Sequence, residues 1–268
     1  MINANKPTWV LFDNGRDARP NAKEVFKNPY GKILYLESEW SVNINDRKHL
    51  PSMSDVVLCF SKTCYDIYKK QYPLKQIDRI FPSIRKKIFY PEEKEIIYDF
   101  SMCNNNYGHD DRTAPSISVA IYLATHGKKV IYRGQNWEPY ADIYSHWIIS
   151  SWKNDYPDGI RNTYNSSRFG LIFTQDLKED YATHSIFDVC ACGKLPVVWC
   201  GNRYYREMFP NLLYIRNPEE ALLLSSLSEK EYIERNEELS AYMTKNFNHL
   251  QVLERCLGHI FFPNIISL

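Results

Sequence analysis

The chain has 268 residues, 44% of them hydrophobic, with 33 Lys and Arg against 32 Asp and Glu. This length allows one large core or two smaller ones, and the balanced charge argues against a protein whose whole surface binds nucleic acid. Seven cysteines, an odd number without the spacing of a disulfide framework, indicate reduced thiols in a cytosol. No run of residues reaches the length that spans a membrane, so we expect a cytoplasmic protein.

Short apolar strands alternate with helices in the first part of the chain. The sequence predicts strands over residues 8–12, 33–36, 56–60 and 79–82, and a helix over 62–72 that Ser61 can cap. Acidic residues follow the first two strands: Asp13 comes directly after the first, and Glu37 and Glu39 after the second.

A charged segment that contains Pro91 follows, and we interpret residues 83–95 as a connector between domains. The predicted domains are a reduced N-terminal domain over residues 1–92 and a C-terminal domain over residues 93–268. In the second domain we predict strands over 96–102, 129–132, 169–174, 195–199 and 212–215. We predict helices over 113–126, 160–167, 218–227 and 229–259.

The stretch from residue 183 to residue 199 combines a helix with a buried strand. Thr183 or Ser185 can cap the helix, and Gly193 suits the left-handed residue that ends one. With the strand before it, this stretch forms a β-α-β unit of a parallel sheet, whose helix N-terminus is suited to bind a phosphate. Asp188, one turn into the helix, either binds the hydroxyl groups of a ribose or is a solvated acid that favours the helix dipole.

Two common nucleotide-binding motifs are absent from the sequence. No GxGxxG follows a predicted strand, and no GxxxxGK[ST] is present, which argues against a dinucleotide enzyme and a P-loop enzyme. The pattern of elements predicts an α/β protein made of two Rossmann-like halves with a cleft between them.

Three runs of residues resemble the C-terminal domain of GT-B glycosyltransferases: 164–168, 171–173 and Ser185-Ile-Phe-Asp-Val-Cys-Ala-Cys-Gly193. The last run is most similar to the CgeB-like, or spore-maturation-protein-like, group, which carries Arg-x-Phe-Glu-x-x-Ala-Cys-Gly. The run Tyr-Arg-Gly-Gln-Asn-Trp at 132–137 adds to the similarity. Two departures are that Ser185 stands in place of the Arg and Asp188 in place of the Glu.

The resemblance implies a GT-B-like fold with a reduced N-terminal Rossmann-like domain and a donor site for a nucleotide-diphosphate sugar. It implies that Asp188 binds the ribose and that backbone near Gly134 lies close to the base. Helix N-terminal amides, together with a nearby His or Arg, would then stabilise the charge on the leaving diphosphate. The diphosphate candidates are His184, Ser185, Arg112 and Arg133. The resemblance implies neither a bound metal ion nor a cofactor other than the donor substrate.

An inverting glycosyltransferase also needs a base near the acceptor hydroxyl. Asp13 and Glu39 are our candidates, because each follows a strand of the N-terminal half. The alternative for each is an ordinary acidic loop residue, and a retaining mechanism would need no such base.

A basic run from Lys62 to Lys87 contains only two acids, Asp66 and Asp78. Lys86 and Lys87 are our candidate acceptor-binding residues, since such a run can follow a phosphate backbone. The alternative is a solvated, lysine-rich helix face.

The sequence therefore predicts a glycosyltransferase that moves a sugar from a UDP-type nucleotide sugar to a hydroxyl group of a glycan, a protein or a small molecule. One alternative is a phage-type enzyme that glycosylates hydroxymethylated pyrimidine bases of DNA, which would act in a host cytoplasm. The other is an inactive module that binds a nucleotide or a sugar.

Overall fold

The computed structural model describes residues 9–13, 32–37, 50–106, 108, 110–141, 148–150, 155–173, 183–199 and 203–247. The described chain divides into two compact units, of which the first ends at Pro82 and the second begins at Ser83. Each unit is a parallel sheet accompanied by helices, which confirms the predicted α/β architecture. The domain boundary at residues 92 and 93 stays a prediction.

The first unit contains a four-stranded parallel sheet in the order β1-β2-β3-β4. Side chains are buried on both faces of this sheet, as expected where helices or loops cover both sides of parallel strands. Its strands are β1 (Trp9–Asp13), β2 (Lys32–Glu37), β3 (Val56–Cys59) and β4 (Gln76–Arg79).

Helix α1 (Lys62–Gln71) follows β3 and begins where the sequence predicts. The hydroxyl of Ser61 accepts a hydrogen bond from the backbone N–H of Cys64 at 3.3 Å, so Ser61 caps the helix. Cys64 and Tyr68 are buried and form one cluster with the sheet residue Val57.

The fourth strand lies three residues earlier than the predicted 79–82. Ile77 is fully buried and pairs with Val57, whereas Pro82 has no N–H to contribute to a ladder. The pairing ends one residue beyond β4, where the N–H of Ile80 donates to the carbonyl of Cys59 at 3.0 Å.

The second unit contains a six-stranded parallel sheet in the order β10-β9-β8-β5-β6-β7. Numbered within this unit, the order is 6-5-4-1-2-3, which is the Rossmann order. The direction of winding reverses between β5 and β8, and ligands of such sheets bind where the carboxyl ends of those strands diverge. The strands are β5 (Tyr98–Cys103), β6 (Val130–Arg133), β7 (Ile148–Ser150), β8 (Ser167–Phe173), β9 (Leu195–Trp199) and β10 (Leu213–Ile215).

A helix follows each described strand of the second unit, and aromatic rings fill much of its core. Phe100 and Phe169 stack on adjacent strands with centroids 5.1 Å apart, and Phe187, Phe209 and Phe247 form a second cluster. The helices are α2 (Asp110–Thr125), α3 (Glu138–Ala141), α4 (Asp158–Asn165), α5 (His184–Ala191), α6 (Arg203–Met208), α7 (Pro218–Ser225) and α8 (Glu229–Phe247).

The segment that the sequence analysis treats as a connector packs closely into the second unit. The N–H of Ile84 donates to the carbonyl of Phe247 at 3.0 Å, and Phe89 is fully buried. The side-chain amide of Asn165 accepts from the N–H of Glu92 and donates to the carbonyl of Tyr90, both at 3.0 Å. Residues 84–92 are therefore an ordered layer on this unit rather than a loose linker.

Candidate functional site

The candidate site lies at the carboxyl ends of the strands of the second unit. β5 ends at Cys103, β6 at Arg133 and β8 at Phe173, and helix α5 begins after the β8 strand. Two of the predicted donor residues, Arg133 and Asp188, are placed at this edge by the end of a strand and by the first turns of a helix.

Helix α5 has the start and end that the sequence predicts. Thr183 is the N-cap residue, but its side chain makes no capping hydrogen bond. At the other end Gly193 has φ 68°, and the N–H groups of Gly193 and Lys194 donate to the carbonyls of Cys190 and Val189. This is the Schellman pattern, which favours glycine at that position because of its left-handed backbone.

Asp188 is the only buried carboxylate among the residues whose burial is described. Arg85 holds it with two hydrogen bonds, from Nε to Oδ1 at 3.0 Å and from Nη2 to Oδ2 at 2.5 Å. The Arg85 side chain is 29% exposed and that of Asp188 only 8%. Arg85 also donates through Nη1 to the hydroxyl of Tyr156 at 3.2 Å, and its guanidinium lies 4.9 Å from the centre of the Phe89 ring.

The burial and the ion pair have opposite effects on Asp188. Burial raises the pKa of the Asp188 carboxyl to about 6, although the hydrogen bonds and charge of Arg85 act to lower it. For Arg85, burial alone lowers the pKa, but the hydrogen bond to Asp188 and its charge outweigh burial and raise it. Asp188 is therefore a charged group held in a desolvated place by one cation.

Arg133 makes contacts within the second unit. Its Nη2 forms an ion pair with Asp155, and its Nη1 donates to the hydroxyl of Thr163 at 3.2 Å. The side chain is 14% exposed. Asp155 pairs with Arg133, and the adjacent Tyr156 accepts from Arg85. This turn therefore contacts both arginines.

The loops after β5 and β6 are hydrogen-bonded to each other beyond the end of the sheet. Asn106 and Asn136 each donate from the side-chain amide to the other's backbone carbonyl, at 3.1 and 3.0 Å. Asn105 accepts from the N–H of Gln135 at 2.9 Å. Since these contacts join two adjacent loops, the rim of the sheet is a fixed surface here.

Gly134 and Arg112 both belong to this rim. A Cβ at Gly134 would overlap the backbone carbonyl of Asn104, so the close approach of the two loops requires glycine. Arg112 is 3% exposed and donates from Nη2 to the carbonyl of Asn105 at 2.7 Å. The structure gives both residues a role in loop geometry, and their predicted roles in donor binding stay predictions.

The other predicted site residues are located as follows. His184 and Ser185 are half-buried at the start of α5. Asp13 is the last residue of β1, while Glu39 lies outside the described residues. The catalytic assignment of this pair stays a prediction.

The basic run does not form one lysine-rich helix face. Lys75 donates to the backbone carbonyls of Ser52 and Ser54, and Arg85 pairs with Asp188. Lys86 and Lys87 are exposed in a turn of the second unit. Their role in acceptor binding stays a prediction.

Sequence reasoning missed Arg85, Tyr156 and Asp155 as parts of this site. Arg85 looks the same as its neighbours Lys86 and Lys87 in the sequence.

The described cysteines are poor candidates for nucleophiles. Cys103, Cys190 and Cys192 are buried and not disulfide-bonded. Burial raises the pKa of the Cys192 thiol to about 12 and that of the other two further still. In the described part of the chain, no group of three or more His, Cys, Asp or Glu is arranged to hold a metal ion, and none of its helices is suited to span a bilayer.

No family model and no curated protein matches the sequence. Solved structures do match the fold. Staphylococcus aureus TarM, in complex with fondaparinux, α-GlcNAc-glycerol and UDP, has a TM-score of 0.68 at 10% identity. The match covers 90% of this chain and 54% of the TarM chain, so this chain spans about half the length of that relative.

Two further glycosyltransferases match. An α-glucosyltransferase in complex with UDP-glucose and DNA containing an abasic site has a TM-score of 0.68 at 13% identity, over 95% of this chain and 80% of that one. The pneumococcal O-GlcNAc transferase GtfA, in complex with UDP and GlcNAc, has a TM-score of 0.59 at 10% identity, over 94% and 56%. These likenesses show the GT-B type of fold.

Proposed function

We propose that this chain is a glycosyltransferase that moves a sugar from a nucleoside-diphosphate sugar to a hydroxyl acceptor. The observation that carries the proposal is the buried Asp188, one turn into the helix that follows β8, in a Rossmann-ordered unit of a GT-B type fold. A carboxylate at the edge where such sheets bind nucleotides is suited to accept hydrogen bonds from the two hydroxyls of a ribose.

The donor that best fits the proposal is a uridine nucleotide. UDP or UDP-glucose is bound in the TarM, α-glucosyltransferase and GtfA structures, whose folds this chain shares. In our proposal Asp188 binds the ribose, and the first-turn amides at His184 and Ser185 meet the diphosphate. In the same proposal the backbone near Gly134 lies beside the base, and Arg112 and Arg133 remain candidates for the diphosphate.

The CgeB-like group remains our proposal for the subgroup of glycosyltransferases that this chain resembles, because the run from Asp188 to Gly193 keeps the carboxylate and the Ala-Cys-Gly pattern of that group. The proposed catalytic pair remains Asp13 and Glu39. The alternative to an active enzyme is a module that binds nucleotide without transfer.

A DNA acceptor is a second candidate. It is favoured by the α-glucosyltransferase that was solved with DNA, most of whose chain this one matches, and by the exposed Lys86 and Lys87. The two candidates differ only in the acceptor, so one donor assay serves both.

The test combines binding with transfer. UDP should raise the melting temperature of the purified chain, because a ligand of the folded state stabilises it by mass action. UDP-glucose and UDP-GlcNAc should then release UDP in the presence of an acceptor. The acceptors to compare are duplex DNA with hydroxymethylated pyrimidines and simple alkyl glycosides. No shift with UDP contradicts the proposal, and binding without transfer to any acceptor favours the inactive module.

Asp188→Asn tests the ribose contact. We expect UDP affinity to fall by about 1.5–3 kcal/mol, the range for hydrogen bonds to a charged group, measured by calorimetry. Glu238→Gln, an exposed acid on α8, is the control and should bind as the wild type does. Equal affinities in all three proteins would remove the ribose role of Asp188.

A further inference from the structure

Arg85 has an unusual position for a residue from a basic run. It comes from the segment before β5, yet its guanidinium lies on the carboxylate of a residue 103 positions later. That carboxylate belongs to Asp188 on helix α5, and Tyr156 and Phe89 contact the same guanidinium. Three separate parts of the second unit therefore hold this one cation in a fixed orientation.

The contacts leave part of the guanidinium available. An arginine side chain has five N–H donors, and Arg85 uses three of them, two on Asp188 and one on Tyr156. The remaining two have no partner among the described residues, and the side chain is 29% exposed. The side chain of Asp188 is only 8% exposed, so the more accessible charged group of the pair is the cation.

The place of the guanidinium relates to Ser185. Residues three apart on a helix are neighbours on its surface, so Ser185 lies beside Asp188. The serine side chain carries no charge, and Arg85 brings a cation to Asp188 from another segment. The guanidinium thus lies at the side chain of Asp188, one turn into α5.

The chemistry of a nucleoside diphosphate matches this pair. Its ribose and its diphosphate are joined through a single methylene group, so the protein groups that bind them must be neighbours. The two hydrogen bonds from Arg85 occupy one lone pair on each oxygen of Asp188, which leaves a second lone pair on each for a ribose hydroxyl. An arginine with free N–H donors is well suited to a diphosphate.

We infer that Arg85 binds the diphosphate of the donor, with Asp188 and Tyr156 holding its guanidinium in place. This inference rests on the proposed function and names the cation of the same site. Arg85 would then stabilise the negative charge that grows on the leaving diphosphate during transfer.

The experiment compares UDP with uridine in calorimetry. In Arg85→Ala, affinity for UDP should fall about ten- to hundredfold, the loss of a charged hydrogen bond, while affinity for uridine changes less than threefold. In Asp188→Asn, both affinities should fall together, because both ligands carry the ribose. Arg85→Lys keeps a cation beside Asp188, so this variant should fold even if Arg85→Ala fails to fold. It should bind UDP with an affinity between those of the wild type and Arg85→Ala.

Arg161→Ala is the matched control. Arg161 also lies in the second unit, pairs with a carboxylate, Glu92, at 2.7 Å and lies 4.4 Å from the centre of the Tyr90 ring. Arg161→Ala should be less stable than the wild type but should have the same ratio of UDP affinity to uridine affinity.

Each outcome has one meaning. If the wild type binds UDP and the Arg85 variants keep its UDP-to-uridine ratio, the inference about Arg85 is wrong and the proposed function stands. If the wild type binds neither ligand, the proposed function fails and the inference fails with it.

Discussion

Removal of Arg85 should destabilise the protein in a way that depends on pH. Arg85→Ala leaves the carboxylate of Asp188, 8% exposed, without its cation. Two unit charges about 4 Å apart attract by about 4 kcal/mol at an effective dielectric constant near 20. Breaking a buried ion pair by removing one partner costs about 3–5 kcal/mol, so we expect a loss of about 4 kcal/mol at pH 8.

The loss should be much smaller at pH 5. The pKa of Asp188 is raised from its ordinary 3.8 to about 6, mainly by burial. An acid with a raised pKa contributes stability that is complete below about pH 4 and is lost as pH rises through about 6. At pH 5 the carboxyl is largely protonated in the wild type already. Arg85→Ala then removes a hydrogen bond to a neutral acid, for about 1 kcal/mol.

The assay is urea unfolding followed by circular dichroism at pH 5 and pH 8, with each variant compared with the wild type at the same pH. Asp188→Asn in the Arg85→Ala background should restore most of the stability at pH 8, because no buried charge remains. A loss of the same size at both pH values, or no recovery in the double variant, would refute this reasoning.

Four other outcomes follow from the structure. Gly193→Ala should lower the free energy of unfolding by about 1 kcal/mol in urea because of the left-handed backbone, with UDP binding unchanged. Gly134→Ala should cost more than Gly193→Ala, because its Cβ would overlap the backbone carbonyl of Asn104, whereas a Cβ at Gly193 would come no nearer than 3.4 Å to the Pro91 side chain; an equal loss would contradict that view. Arg133→Ala should lower kcat more than it raises KM if it stabilises the leaving group, whereas unchanged kinetics with a lower melting temperature would make it a structural residue. Replacement of both Lys86 and Lys87 by Glu should abolish DNA binding only if DNA is the acceptor, and the salt dependence of wild-type binding, with a log–log slope of about −0.9 per phosphate, is the check.

Helix α5 and strand β9 could be predicted closely because local signals agree there. Leu195–Trp199 is a short apolar strand preceded by a glycine, and the structure has the strand at those residues. Gly193 ends the helix through hydrogen bonds that involve only residues 189–194. Where turn chemistry and hydrophobic pattern both act over a few residues, the sequence alone locates the element.

Other elements could not be predicted because their stability comes from distant parts of the chain. β7 has three residues, Ile148–Ser150, and forms by pairing with β6. β4 differs from its predicted position because the pairing of Ile77 with Val57 decides the register, not the apolar pair that follows it. The hydrophobic pattern of a sequence shows which side of a strand is buried, but it does not show which other strand it pairs with.

The candidate site follows the same rule. Asp188 could be identified from its place in a helix after a buried strand. Its partner Arg85 could not be identified, because no local pattern connects residues 103 positions apart. A run of basic residues gives each member the same expected role, whereas the fold turns Arg85 inward and leaves Lys86 and Lys87 in solvent.

The packing of residues 84–92 on the second unit determines where the chain can be cut. A fragment that starts at residue 93 would lose the hydrogen bond from Ile84 to Phe247 and the buried Phe89 ring. It would also lose the Tyr90 carbonyl that accepts from Asn165. It would also expose apolar core and leave the Asp188 carboxylate unneutralised. Expression of the Rossmann-ordered half by itself should therefore start upstream of Ser83, and the shorter fragment should be recovered mainly as aggregate.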